Sequence, residues 1–337
     1  MFFRSLQILL LIVVAAACLL SGSVPAREMF AIQVKCTHGV FCDKSTVTLV
    51  QFSAEKLSGT DVMTLVPQTK TTIINEQYQY IGAGNNNGTY VAIVSTATAS
   101  EVFIYKQEGG SHKFSTGGST LGTTAMVMDG EDVFILQGST VSQLSLSTQK
   151  TTPIGKFNVK PDLHASPVLA VFGNQIYGAV YNLRVDQLWF ATMDAQSGAV
   201  TLSTDSVAYY TGSSTGYEPM GMWANEGSGE QGFFSIMDTL LGPLGYWVDA
   251  QTGNITNVLG FEQIAGMTSP VVASPFTYDP INHLAYLPLD PSTSSDSSDG
   301  YQMQIWDVTT KKDVGPDTAF DFENAFDWSS FALAKSN

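Results

Sequence analysis

One turn recurs along this chain at a spacing that few folds produce. A short apolar strand ends at an acidic or polar residue, four residues turn, and a second strand leaves. The clearest copies run from Leu188 to Val200, from Gly245 to Ile255 and from Met303 to Val314. Weaker copies run from Val47 to Val62 through Gly59, from Val102 to Phe114 through Gly109, and from Val141 to Ile154 through Lys150. Glycine in such a turn supplies the positive φ that tight hairpins need. The anchors Gly59, Gly109, Lys150, Gly198, Gly253 and Lys312 lie 50, 41, 48, 55 and 59 residues apart.

Each hairpin follows another pair of strand-like runs. Val168–Val171 and Ile176–Val180 are one such pair, Ala125–Met128 and Val133–Leu136 another, and Val271–Ala273 with Leu284–Leu287 a third. The unit is therefore four strands, A to D, and a period of about 40–50 residues is that of one propeller blade. No amphipathic helix interrupts the series. The expected fold is an all-β propeller of about six four-stranded blades. Seven blades, one of them degenerate, is the alternative; a flat sandwich array explains the long period less well. The chain ends support closure. The first unit has B (Phe30–Val34), C (Val47–Val50) and D (Val62–Leu65) but no A, whereas Ser330–Leu333 is a strand without a partner after Asp327-Trp328, where a D-to-A connection is expected. The tail strand is expected to complete the first blade, which removes both open edges.

The segments Ile305-Trp306-Asp307-Val308 and Trp247-Val248-Asp249-Ala250-Gln251-Thr252-Gly253 resemble blade hairpins of WD40-like and YVTN-type propellers. The Gly-His pair of true WD40 repeats, the double glycine of kelch repeats and the Tyr-Trp-Thr-Asp signature of receptor propellers are absent. The resemblance implies an architecture and no functional family.

The N-terminus sets the compartment. Arg4 precedes a run, Leu6–Leu20, that is apolar apart from Gln7, and small or turn-forming residues end it at Val24-Pro25-Ala26. This reads as a secretory signal covering residues 1–26, leaving residues 27–337 as one domain. An uncleaved anchor, or acylation at Cys18, are the alternatives; no later run is long enough to span a bilayer. The formal net charge of −15 disfavours nucleic acid, which needs a Lys/Arg footprint, and anionic membrane surfaces. A monomer is expected.

Cys18 leaves with the signal. Cys36 and Cys42 remain, six apart, and an oxidising compartment suggests a disulfide between them. Zinc on the two thiols with His38 is too cramped for a closed tetrahedral site.

Chemistry is sparse, and no catalytic residue is assigned. Gly212-Ser213-Ser214-Thr215-Gly216 has the nucleophile-elbow pattern without the helix that motif requires. Of the four histidines, His112 and His283 fall near turns and are expected in solvent. His164 falls in a D-to-A connection with Asp162, a pairing suited to acid–base work or ligand binding. Tyr217 and Glu218 occupy the next such connection, so Asp162, His164, Tyr217 and Glu218 are the candidate binding residues. Aromatics such as Tyr78, Tyr80, Tyr209, Tyr210 and Trp223 enter A strands, where packing between blades is the expected role. Asp290, Asp296 and Asp299, and the later group Asp313, Asp317, Asp321, Glu323 and Asp327, are carboxylate clusters. Calcium is the one cofactor they suggest, and otherwise none is expected. Asn87-Gly88-Thr89 and Asn254-Ile255-Thr256 are glycosylation sequons at turns.

These features point to a secreted or cell-surface binding protein that recognises a protein or glycan through one propeller face. The alternative is an extracellular hydrolase or lyase at the central channel, which requires His164 to converge with at least two carboxylates.

Overall fold

The computed structural model describes residues 28–36, 45–53, 59–69, 79–85, 87–116, 118–209, 218–224, 232–238, 244–259, 271–272, 277–279, 282–290, 302–310, 312–315, 318–319 and 325–333. Among them every regular element is a strand. The residues read as signal peptide, together with His38, Cys42 and the Gly212–Gly216 segment, lie outside these ranges.

Six antiparallel sheets follow one another along the chain. Blade 1 holds β1 (Glu28–Cys36), β2 (Ser45–Ser53) and β3 (Gly59–Thr69). Blade 2 holds β4 (Gln79–Asn85), β5 (Thr89–Ser95), β6 (Ser100–Lys106) and β7 (Gly110–Ser115). Blade 3 holds β8 (Thr123–Asp129), β9 (Asp132–Gln137), β10 (Thr140–Ser145) and β11 (Lys150–Lys156). In blade 4 the inner strand is split into β12 (His164–Ala165) and β13 (Ala170–Phe172), followed by β14 (Gln175–Asn182) and β15 (Gln187–Asp194) and an outer strand split into β16 (Val200–Leu202) and β17 (Val207–Ala208). Blade 5 holds β18 (Glu218–Ala224), β19 (Gly232–Asp238), β20 (Leu244–Asp249) and β21 (Ile255–Leu259). Blade 6 repeats the split pattern with β22 (Val271–Val272), β23 (Thr277–Asp279), β24 (Leu284–Asp290), β25 (Gln302–Asp307), β26 (Lys312–Asp313) and β27 (Thr318–Ala319). The split in blade 4 falls at Ser166-Pro167: proline cannot donate to the ladder, although Ser166 N still reaches Ala179 O at 2.8 Å.

The last strand, β28 (Ala325–Leu333), pairs antiparallel with β1, placing Phe30 opposite Ala332 and Val34 opposite Asp327. The C-terminal strand thus completes the first blade. It begins earlier than the sequence suggested, because Asp327 and Trp328, read as a connection, pair with Val34 and Gln33. The inner strands then pack in a closed circuit, β28 on β4, β4 on β8, β8 on β13, β13 on β18, β18 on β23 and β23 on β28. This is a β-propeller.

Burial explains why the middle strands read as continuous apolar runs. In β5, every residue from Tyr90 to Ser95 is buried. Its two faces meet different blades: Tyr90, Ala92 and Val94 pack with Phe30, Ile32 and Val34 of blade 1, and Val91 and Ile93 with Val133 and Ile135 of blade 3. Fully burying one such side chain contributes about 1.5–3 kcal/mol. The outer strands fade to polar, as in β7, where only Phe114 escapes full exposure; lysines such as Lys113 and Lys150 blunt these edges against further pairing.

Candidate functional site

Each blade carries its D-to-A connection and B–C turn on one side of the ring and its A–B and C–D turns on the other. In blade 4 the register fixes this side: His164 pairs with Tyr181, Asn182 with Gln187, and Gln187 with Ala208. His164 is therefore part of the inner strand and not of the connection before it, a correction that follows from the early start of the split strand.

Asp162 stands in the turn just before, where Leu163 N closes onto Lys160 O at 3.1 Å. Its Oδ2 accepts a 2.7 Å hydrogen bond from Asn182 Nδ2. Asn182 is 6% exposed, and its Oδ1 accepts from Arg184 N at 2.9 Å. One amide thus ties the D-to-A connection to the B–C turn. Beside this tie opens a cavity of about 370 Å³ lined by Lys160, Asp162, Leu163, Asn182, Trp189, Leu202 and Ser203. Leu163, Trp189 and Leu202 belong to the packed seam between blades 3 and 4. Ser203 Oγ is already engaged, accepting from Phe190 N at 3.2 Å and donating to Asp205 O at 2.7 Å.

His164 takes a different neighbourhood. Its ring lies 5.5 Å from that of Tyr181, which stacks on Tyr209 at 4.4 Å with planes 5° apart. Tyr209 and Trp223 pack in the seam with blades 5 and 6, and Tyr80 in that of blades 1 and 2, the role expected for these aromatics. Among the described residues no carboxylate forms an ion pair with His164, and no group of three His, Cys, Asp or Glu side chains is placed to hold a metal ion. Asp296, Asp299, Asp317, Asp321 and Glu323 lie outside those residues, as do Tyr78, Tyr210 and Tyr217. Glu218 opens β18 opposite Asp238. Of the four candidates, the structure places Asp162 at a cavity and His164 against an aromatic pair, and does not bring the two into contact.

Neither a protein-family model nor a curated protein matches the sequence. Solved structures do. A protein of unknown function from Bacteroides caccae is similar at a TM-score of 0.52 and 8% identity, over 92% of this chain and 100% of that one. A TolB-type protein from Agrobacterium tumefaciens gives a TM-score of 0.49 at 11% identity over 91% and 94% of the two chains. TolB from Acinetobacter baumannii gives 0.47 at 13% identity over 92% and 83%. At 8% identity the likeness to the Bacteroides caccae protein shows the fold alone.

His112 lies on exposed β7. His283 is exposed but not free, since its Nδ1 lies 3.0 Å from the hydroxyl of Tyr278. Cys36 ends β1, while Cys42 lies outside the described residues. Asn87 and Asn254 are both exposed, in the A–B turn of blade 2 and the C–D turn of blade 5. Sequence reading missed Lys160, Asn182, Trp189, Leu202 and Ser203 as a group, because three different strands and a connection bring them together. The one local signal was a polar Asn182 ending the apolar run of β14.

Proposed function

We propose that this chain is an exported binding protein that recognises a protein or glycan through the face bearing the D-to-A connections and B–C turns of blades 3 and 4. The observation that carries this reading is the distribution of exposed apolar side chains. Five large ones stand out among the described residues: Leu121 (39% exposed), Val159 (48%), Phe172 (44%), Leu183 (56%) and Val185 (54%). Four belong to this face: Leu121 in the connection into blade 3, Val159 in the connection into blade 4, and Leu183 and Val185 in the B–C turn of blade 4; only Phe172 sits at an A–B turn on the other. Scattered singly, such residues are ordinary, but gathered they mark an interaction surface. The two sequons support the same choice, since glycans on Asn87 and Asn254 would occupy the opposite face and leave this one open. Residues 1–26 would direct export, so the mature chain would start at Arg27.

The test is capture of a ligand from the surrounding medium by immobilised residues 27–337. A Leu183→Ser/Val185→Ser double variant is expected to lose the captured species, and Phe172→Ser to keep it. Equal capture by both, or loss only with Phe172→Ser, overturns the choice of face.

A further inference from the structure

We propose that the cavity between blades 3 and 4 is a subsite for one neutral sugar ring of the ligand; this rests on the binding reading above and names its chemistry. The polar groups left unsatisfied at its lining decide what it can hold. Asn182 is engaged at both ends of its amide, by Asp162 and by Arg184 N. Ser203 is engaged as donor and acceptor. What is left among the lining side chains is Asp162 Oδ1, an acceptor, with the Lys160 ammonium and the second N–H of Asn182 as donors; Lys160 and Asp162 Oδ1 have no partner among the described residues. Between them the lining is apolar, supplied by Leu163, Leu202 and the part-exposed indole of Trp189.

Such a lining sorts ligands by charge. An anionic group facing Lys160 also faces Asp162, and a cationic group facing Asp162 also faces Lys160. A like charge brought this close offsets most of what the opposite charge contributes. A vicinal diol meets no such conflict, because one hydroxyl donates to the carboxylate and the other accepts from the ammonium. The C–H face of the same ring is apolar and covers the indole, in the manner of sites that pair aromatic walls with a few placed polar groups. The tie to Asn182 holds the carboxylate in place before the ligand arrives, which limits the ordering cost of binding. The volume accommodates one ring, and two lining residues, Lys160 and Asn182, adjoin the exposed Val159 and Leu183 in sequence, so the sugar would be the end of a larger ligand that reaches those side chains.

The probes are free neutral hexoses and N-acetylhexosamines, with the corresponding uronates and free amino acids as the charged arms. They are titrated into residues 27–337 and followed by tryptophan fluorescence and by saturation-transfer NMR. At least one neutral sugar is expected to saturate with a dissociation constant on the order of millimolar, as suits a single ring. Lys160→Ala, at an exposed position, is expected to weaken it tenfold or more with melting unchanged; Asp162→Ala is expected to weaken it as much and also to lower melting, because it removes the acceptor of the buried Asn182 amide. Trp189→Phe is expected to abolish the fluorescence response while NMR still detects binding. Failure of every neutral sugar to bind overturns the proposal, as does preference for a charged probe or binding indifferent to Asp162→Ala. If capture depends on Leu183 and Val185 but no sugar binds, this inference falls and the choice of face stands. If a sugar binds here while capture ignores those residues, the reverse holds.

Discussion

Gly155, in the outer strand of blade 3, lies so close to Gly198 of the blade 4 C–D turn that a Cβ added to it would stand 2.8 Å from the Gly198 carbonyl oxygen. The next seam is built alike. Thr204 N and Asp205 N of blade 4 donate to Gln251 O and Thr252 O in the C–D turn of blade 5, at 3.0 and 3.1 Å, and a Cβ on Gly253 would meet Asp205 O at 2.8 Å. Gly198 and Gly253 therefore do two things: they turn the hairpin, and they let its backbone dock on the preceding blade.

Gly198→Ala and Gly253→Ala should consequently cost more than the turn conformation alone. Gly198 and Gly253 have φ of 69° and 74°. Gly173, with φ of 57° and nothing within 4 Å of an added Cβ, is the control. Gly173→Ala is expected to lose about 1–2 kcal/mol from left-handed strain. The two seam variants should exceed it, because the neighbouring carbonyl must also move. Denaturant midpoints compared across the three variants check this ordering.

The closing strand offers a sharper test. Ala332 is buried opposite Phe30, and a Cβ on Gly84 would meet Ala332 Cβ at 2.6 Å, so blades 1 and 2 touch here with no room to spare. Ala332→Leu should destabilise by about 1–3 kcal/mol through overpacking. Removing residues 325–337 should do far more, since it opens the edge of β1; the expected result is loss of a cooperative melt, read by circular dichroism and size exclusion.

Acid should weaken two of the hairpins. Hydrogen bonds from the backbone and side chain of Ser197 hold the Asp194 carboxyl below its ordinary value, and those from Thr252 do the same for Asp249, against a smaller opposing effect of burial. A depressed folded pKa means that the contribution is present above the unfolded value, about 4, and is lost as pH falls through the lower folded value. Asp194→Asn/Asp249→Asn should keep the turn geometry but show a shallower fall in melting temperature on acidification below about pH 4. A melting series from neutral to acid measures it.

At the alkaline end, Tyr278 is pushed up to about 12, by burial first and then by the charges of Asp279 and Asp307. Because the folded value is raised, the neutral phenol's contribution persists below the unfolded value of about 10 and disappears as pH climbs through the folded one. A phenolate absorbance titration should show a late component near 12 that Tyr278→Phe removes.

The architecture was readable because its determinants are local. A hairpin with Asp194 and Gly198, or Asp249 and Gly253, announces itself within a few residues, and six such turns count the blades. Inner strands were harder to place. β12 and β22 are two residues each, and Asp327-Trp328 looked like a loop because an inner strand is not required to alternate cleanly. The site was the least readable part. Asp162 could be singled out from its connection, but its partner Asn182 lies a full hairpin away, and His164, read for acid–base or ligand-binding work in the connection, lies in the inner strand with its ring 5.5 Å from that of Tyr181. Pairing between distant side chains leaves no trace in local spacing.

The union of β1 with β28 also sets a schedule. Synthesis delivers β1 roughly 290 residues before its neighbour exists, which at about 5–20 residues per second is a wait of tens of seconds. Throughout that interval the opening sheet of the ring has a bare flank and an unfilled seam beside it. The head of the protein must then be guarded against other strands until the tail is made, and any stall in elongation prolongs the hazard at the N-terminal end, far from the point of arrest.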